Sequence, residues 1–162
     1  MAKKSKGGTP ATLLLQRLGV AFTPHEYAHD SATPSYGLEA AEVLAVEPDR
    51  VFKTLVVKVD GQLSVAVVPV STSLDLKALA AACGGKRATM ADPVEAQRSS
   101  GYVVGGISPI AQRRALPTVI DHSAWNYPSV YVSGGRLGFD IELAPDALVA
   151  ATSAVAATIA RR

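Results

Sequence analysis

The dipeptide Asp60-Gly61 sits between two runs rich in β-branched residues, Val51 to Val59 and Leu63 to Val70. A two-residue connection of this kind closes an antiparallel hairpin, because its backbone twist matches that of the strands it joins. Parallel neighbours need a crossover of a dozen or more residues, so a purely parallel sheet is excluded. Helical signals flank the hairpin on both sides. Thr9 is an N-cap ahead of Pro10, with Ala11, Leu14, Leu15 and Leu18 on one helical face and Gly19 as the stop. Phe22 to Tyr27 reads as extended, and a second helix opens at Pro34 or Ser35 and runs to about Leu44. Downstream, Ser73 to Cys83 reads as a helix ended by Gly84-Gly85, and Arg87 to Met90 as a short strand. Asp92-Pro93-Val94-Glu95 supplies an N-cap, a first-turn proline and a capping-box glutamate for another helix. Strands are expected at Thr118 to Asp121, Ser129 to Val132 and Gly138 to Leu143, then a C-terminal helix from about Pro145 to Arg161. This interleaving predicts an α/β (α+β mixed) fold, a mixed and mainly antiparallel sheet covered by helices.

With 162 residues, 48% of them apolar, the chain suits one domain over residues 9–162 behind a flexible basic tail at 1–8. The charged start, Met1 to Lys6, is followed by Gly7-Gly8 and Pro10, and the run Leu13-Leu14-Leu15 stops at Gln16-Arg17, so it does not read as a signal peptide. The apolar stretch Ala147 to Ala160 is shorter than the roughly 20 residues a spanning helix needs. No membrane association and a cytoplasmic location are expected. The single cysteine, Cys83, excludes an intramolecular disulfide and a cysteine-rich zinc site. A formal charge of +2 excludes a protein that coats nucleic acid by charge alone and leaves room for a local basic face. Lys86, Arg87, Arg98, Arg113, Arg114 and Arg136 are the candidates for that face.

Three groups of residues stand out chemically. Lys53 shares a strand face with Leu55, Val57 and Val59. Either it snorkels to water from the strand start, or it holds a positive charge at the mouth of a pocket, where it would stabilise an oxyanion or orient a substrate. Gly105-Gly106-Ile107-Ser108-Pro109 is either an ordinary connection or a loop whose glycines admit a ligand to the backbone. It has neither the P-loop lysine nor dinucleotide glycine spacing, so a nucleoside triphosphate or dinucleotide site is not indicated. Ser133-Gly134-Gly135 and Asp140 fall on adjacent strands, and Asp140, between Phe139 and Ile141, is either exposed or a buried carboxylate in need of a donor. His25 and His29 have H-x3-H spacing, but that spacing puts two imidazoles on one face only in a helix, and Pro24 argues against one, so no metal site is read here. Asp121-His122-Ser123 holds triad residue types, yet triad members converge from separate elements and no G-x-S-x-G elbow accompanies them. Cys83, near Leu79 and Ala80 at a helix end, reads as a small core residue rather than a nucleophile.

From about Thr9 to Arg162 the chain resembles the YbaK family of Cys-tRNA(Pro) deacylases, which includes the editing insertion domain of bacterial prolyl-tRNA synthetases. The resemblance rests on Val51-Phe52-Lys53-Thr54-Leu55, Met90-Ala91-Asp92-Pro93, Ala96-Gln97-Arg98-Ser99, Gly101-Tyr102 with Val104 to Pro109, Leu116-Pro117-Thr118, and Tyr131 to Gly135 followed by Asp140-Ile141-Glu142-Leu143. It implies that Lys53 and Tyr27 are the catalytic residues. It also implies that Tyr36, Thr54, the loop residues Gly105, Gly106, Ile107, Ser108 and Pro109, and the strand residues Ser133 and Asp140 bind substrate. Where the family carries phenylalanine, this chain has Tyr36. The implied activity removes cysteine from mischarged tRNA in trans, without metal or other cofactor, the substrate's own thiol attacking its ester. The implied partners are mischarged tRNA and prolyl-tRNA synthetase, and not DNA. A different misacylated tRNA hydrolysed with a bound water, or a non-catalytic tRNA-binding module, are the competing readings.

Overall fold

The computed structural model describes residues 8–30 and 36–162. Helix α1 (Pro10–Leu18) begins at Thr9, whose hydroxyl accepts from the Thr12 N–H, while Thr12 returns a bond to the Thr9 N–H; Gly19 ends it in the left-handed region. Strand β1 (Thr23–Glu26) follows, then α2 (Tyr36–Leu44). The expected start of α2 at Pro34 or Ser35 lies outside the described residues, as do residues 1–7 of the basic tail. After a 3₁₀ turn at Pro48–Arg50 comes the hairpin, β2 (Phe52–Val59) and β3 (Gln62–Pro69), paired antiparallel from Phe52↔Pro69 to Val59↔Gln62. Its turn residues Asp60 and Gly61 have φ of 51° and 84°, as a two-residue hairpin turn with both centres left-handed demands. Next come β4 (Ser73–Leu74), α3 (Leu76–Ala82), β5 (Ala88–Met90), α4 (Pro93–Ser100) and β6 (Thr118–Asp121). The chain ends with β7 (Val130–Arg136), β8 (Phe139–Leu143), α5 (Pro145–Thr152), β9 (Val155–Ala157) and β10 (Ala160–Arg161).

The mixed α/β class is as expected, but the strands form two principal sheets instead of one. A five-stranded mixed sheet runs β5-β2-β3-β6-β9, with β3, β6 and β9 parallel, and a three-stranded antiparallel sheet runs β1-β8-β7. A bridge between Val51 and Tyr131 ties the two together. Period-2 alternation explains the division of the core. Phe52, Val65, Val67 and Ile120 pack against Val130, Val132, Phe139 and Ile141 of the small sheet, closed by Ala11 and Leu15 of α1 and Leu148 of α5. The opposite face of the large sheet, with Val57, Val59, Ala66 and Val68, packs on Leu79 and Ala80 of α3. Helix α2 covers the other face of the small sheet, through Ala40 and Ala41 against Val51, Val70 and Tyr131.

Two helical expectations are corrected. Ser73-Leu74 is a strand paired with Ala160–Arg161, and the helix begins only after Asp75, whose carboxylate caps the Ala78 N–H. The C-terminal helix does not reach Arg161 but stops at Thr152, with Ser153 at φ 58°. The following residues form β9 and β10, because Asp121 Oδ1 accepts the backbone N–H groups of Ile159 and Ala160 at 2.9 and 2.8 Å. That carboxylate supplies in extended geometry the bonds a helix would have supplied internally. The capping-box role of Glu95 is also replaced: the Asp92 side chain caps the Val94 N–H, and Glu95 instead pairs with Lys58 at 3.1 Å. Among the described residues, no helix is long and apolar enough to cross a membrane.

Candidate active site

Strand β5 pairs with β2 only from Val57 to Val59, so the segment of β2 nearer its start has β3 on one side and, among the described residues, no paired strand on the other. Val51 O accepts from Val70 N, and Val56 O accepts from Ala91 N on the far side. The alternation of an antiparallel ladder therefore turns the N–H and C=O of Phe52 and Thr54 away from β3. A cleft of about 410 Å³ opens along this edge. Its walls come from the start of β2, the start of α2, the β5–α4 junction, the loop after α4 and the polar face of the small sheet.

Of the residues singled out from sequence, Lys53, Thr54, Tyr27, Tyr36, Gly105, Ile107, Ser133 and Asp140 all line this cleft. Gly106, Ser108 and Pro109 are buried behind it and are not part of its lining. Lys53 is half-buried and donates from Nζ to Thr72 O at 2.9 Å, so its ammonium is held by the protein rather than simply extended into water. Burial lowers its pKa from the ordinary lysine value. Asp140 is 6% exposed, which settles its placement as buried. It pairs in register with Ser133 on β7 and with His25 on β1. Burial pushes its carboxyl up to about 7. The Tyr27 hydroxyl is raised by burial first, then by the neighbouring charges of Asp140 and Glu39. Thr54 Oγ1 is buried with no hydrogen-bond partner among the described residues.

The glycines of the loop serve close packing. A Cβ on Gly106 would lie 2.8 Å from the Arg136 Cα, and one on Gly105, at φ 92°, would lie 2.7 Å from Leu137 Cδ2 and 3.0 Å from the Tyr36 ring. The loop thus presses on the β7–β8 turn and on α2 at the mouth of the cleft. It is tied down by Tyr102, whose hydroxyl donates to Ile110 O at 2.7 Å, by Gln97 Oε1 accepting from Val104 N, and by Ser108 Oγ accepting from Ile110 N.

Other candidates fall elsewhere. His25 pairs with Glu142 at 2.9 Å and His29 with Glu39 at 2.7 Å, on separate carboxylates. Asp121 anchors the C-terminal strands, and the His122 ring lies against Trp125. Cys83 is the C-cap residue of α3 and packs on the outer core. Arg136, read from sequence only as a candidate for a local basic face, lines the cleft, pairs with Glu26 at 2.9 Å and stacks over Phe139. Met90, Ala91 and Pro93 also line it, so a segment that stood out only as part of a pattern proves to be a wall. The signal for both lay in the quoted motifs, Arg136 directly after Ser133-Gly134-Gly135.

Residues 32–151 match the aminoacyl-tRNA editing domain. A protein of Enterococcus faecalis named "Putative Cys-tRNA(Pro)/Cys-tRNA(Cys) deacylase EbsC" is 36% identical over 157 residues, covering 93% of this chain and 92% of that one. A crystal structure described as "a putative trans-editing enzyme for prolyl tRNA synthetase" superposes with a TM-score of 0.83 at 25% identity, over 94% of this chain and 96% of that one. The crystal structure of a hypothetical protein gives a TM-score of 0.84 at 27% identity, over 94% and 100%. With the match spanning most of its length and its relatives alike in fold, the chain belongs to the aminoacyl-tRNA editing domain family.

Proposed function

We propose that the protein is a trans-editing aminoacyl-tRNA deacylase that removes cysteine from mischarged Cys-tRNA(Pro), and from Cys-tRNA(Cys), using the thiol of the esterified cysteine as the nucleophile. The observation that carries this reading is the chemistry of the cleft lining. It brings together two cations, Lys53 and Arg136, a buried carboxylate and several hydroxyls, and among the described residues it contains neither cysteine nor histidine. A site so equipped is suited to holding and polarising an ester and ill suited to attacking it with a side chain of its own.

In the reaction the substrate sulfur forms a bond to its own ester carbonyl and the bond to the ribose oxygen breaks. The thiol proton ends on that oxygen, and the amino acid departs as a thiolactone. The protein contributes proximity by folding the aminoacyl group so that sulfur meets carbonyl, an advantage that an external nucleophile lacks. Lys53 has two N–H donors left after Thr72 O takes one, and these stabilise the developing oxyanion or the leaving ribose oxygen. Asp140, a buried carboxylate with no ion-pair partner among the described residues, receives the α-ammonium of the aminoacyl group. Thr54 Oγ1 and the N–H groups of the open β2 edge orient the ester, with the Tyr27 hydroxyl beside Asp140. The Gly105 loop borders the terminal ribose, whose 2′-hydroxyl marks the ligand as RNA. Selection works as a second sieve for an amino acid that binding alone cannot reject. Prolyl-tRNA synthetase, named in the description of the structural relative, would present the tRNA.

The test is a deacylation panel of the purified protein against Cys-, Ala- and Pro-charged tRNA(Pro). Fast loss of cysteine with alanine and proline retained is the expected result. Preferential loss of alanine would assign a water-using deacylase, and retention of all three would assign a binding module.

A further inference from the structure

Of the large apolar side chains that the fold leaves exposed, Tyr36, Met90 and Val104 line the cleft, Leu137 lies against the Gly105 rim, and Val94 and Val103 are the chain neighbours of the lining residues Pro93 and Val104. Two of them, Val103 and Val104, are 55% and 44% exposed on a loop that is otherwise pinned by hydrogen bonds, so their exposure is a fixed feature and not the looseness of a connection. Two residues before Val103, the chain meets an arginine at Gly101. The Arg113 side chain lies along Gly101, with Nε 3.6 Å from where a Cβ on that glycine would stand. Arg113 and Arg114 are fixed by backbone bonds to Ser100 O and Ser99 O at the end of α4, and Arg98 is exposed on the same helix. Among the described residues none of these three guanidinium groups forms an ion pair, whereas Arg50, Arg136 and Arg162 each do.

The cleft, at about 410 Å³, lies at the lower end of the roughly 300–1,000 Å³ typical of small-ligand sites. It has room for one aminoacylated nucleoside and not for the nucleotides before it. Those nucleotides must leave across the rim, where exposed apolar side chains can take base faces and the unpaired arginines the phosphates. We propose that Val103, Arg113, Arg114 and Arg98 form the track for the unpaired 3′ nucleotides that precede the terminal one. The proposal rests on the reading of the cleft as an RNA-end site. It also divides the basic residues of the chain. Lys86 and Arg87 sit beside the Asp60 turn, at the far end of β2 from Lys53, and take no part.

Two measurements test it. The first compares binding of a tRNA acceptor hairpin carrying its unpaired 3′ nucleotides with the same hairpin lacking them. Arg113→Ala/Arg114→Ala should weaken the intact hairpin only, and should make its log–log salt dependence shallower by about 1.4, about 0.7 for each single-strand phosphate that is no longer neutralised. Val103→Glu should weaken it about tenfold, by removing one apolar contact and setting a carboxylate beside the phosphates. The second compares turnover of charged tRNA with that of a free aminoacyl-adenosine, which reaches the cleft and not the track. The variants should raise KM for the tRNA and leave the small ester unchanged, and Lys86→Ala/Arg87→Ala should change neither. Wild-type binding by the track variants, or equal losses on both substrates, would overturn the track. Hairpin binding that depends on the track, in a wild-type protein that deacylates nothing, would leave the track standing and overturn the deacylase reading.

Discussion

Lys53 and Asp140 face the cleft with unequal support from the protein. The ammonium of Lys53 donates to a backbone carbonyl, and Asp140 is nearly inaccessible with its ionised form disfavoured by burial. Among the described residues neither forms an ion pair. Removing the cation with Lys53→Ala should therefore slow deacylation by about two to three orders of magnitude, the cost of one charged stabiliser in a largely dry site, while the far-UV spectrum stays native. For Asp140 the sign is set by its raised pKa. In the proposed role it binds the ammonium when ionised, so kcat/KM should fall about tenfold per pH unit below about 7, and Asp140→Asn should lower the plateau and flatten this limb. The same shift acts oppositely on stability. A group whose folded pKa exceeds its unfolded one favours folding when protonated, and that contribution is lost between the ordinary aspartate range and about 7. Asp140→Asn should accordingly raise Tm at pH 8, by a contribution on the order of a few kcal/mol, and leave it nearly unchanged at pH 4. A variant that is inactive and less stable at pH 8 would show that the carboxylate is structural. What the sequence revealed here was uneven. Lys53 was legible because a lysine interrupts an apolar strand face, whereas the surroundings of Asp140 are assembled from segments far apart in the chain, Tyr27, Tyr36 and Lys53 among them, which no local pattern announces.

At the scale of elements, the loop from Gly101 to Pro109 shows a use of glycine that the sequence did not distinguish. Gly105-Gly106 read either as an ordinary connection or as a loop admitting a ligand to its backbone, and the close approach present is toward the protein's own β7–β8 turn and α2. Gly106→Val would drive a side chain into the backbone of Arg136, where neither segment can yield without parting the loop from the turn. It should lose activity and lower Tm by several degrees, the result of a clash costing a few kcal/mol. Gly105→Ala meets flexible side-chain ends and a left-handed backbone, so it should cost about 1 kcal/mol and act mainly by displacing Tyr36. Equal effects from the two would remove the distinction between a packing glycine and a rim glycine. The C-terminal segment teaches the converse. Its alanine-rich composition favours helix and the helix does form, but only to Thr152, since the bonds that pull Ile159 and Ala160 into extended structure come from Asp121, 38 and 39 residues earlier.

Across the whole molecule, the hairpin at Asp60-Gly61 fixed the antiparallel centre and excluded the purely parallel alternative, and the edge that β5 leaves uncovered on β2 became the floor of the site. The division into two sheets was not legible, because it depends on Val51 and Tyr131 meeting across 80 residues. That junction brings the Lys53 strand against the polar face bearing Ser133 and Asp140, which makes one cleft from motifs scattered over the chain. The cleft's central chemical claim is that the substrate attacks itself. Its most direct test is the single-turnover rate of deacylation of tRNA(Pro) charged with cysteine against the same tRNA charged with serine, which differs at the nucleophilic atom alone. Intramolecular thiol attack predicts that the cysteine ester is cleared orders of magnitude faster. Equal rates for the two esters would contradict it and assign the bond cleavage to water or to a group of the protein.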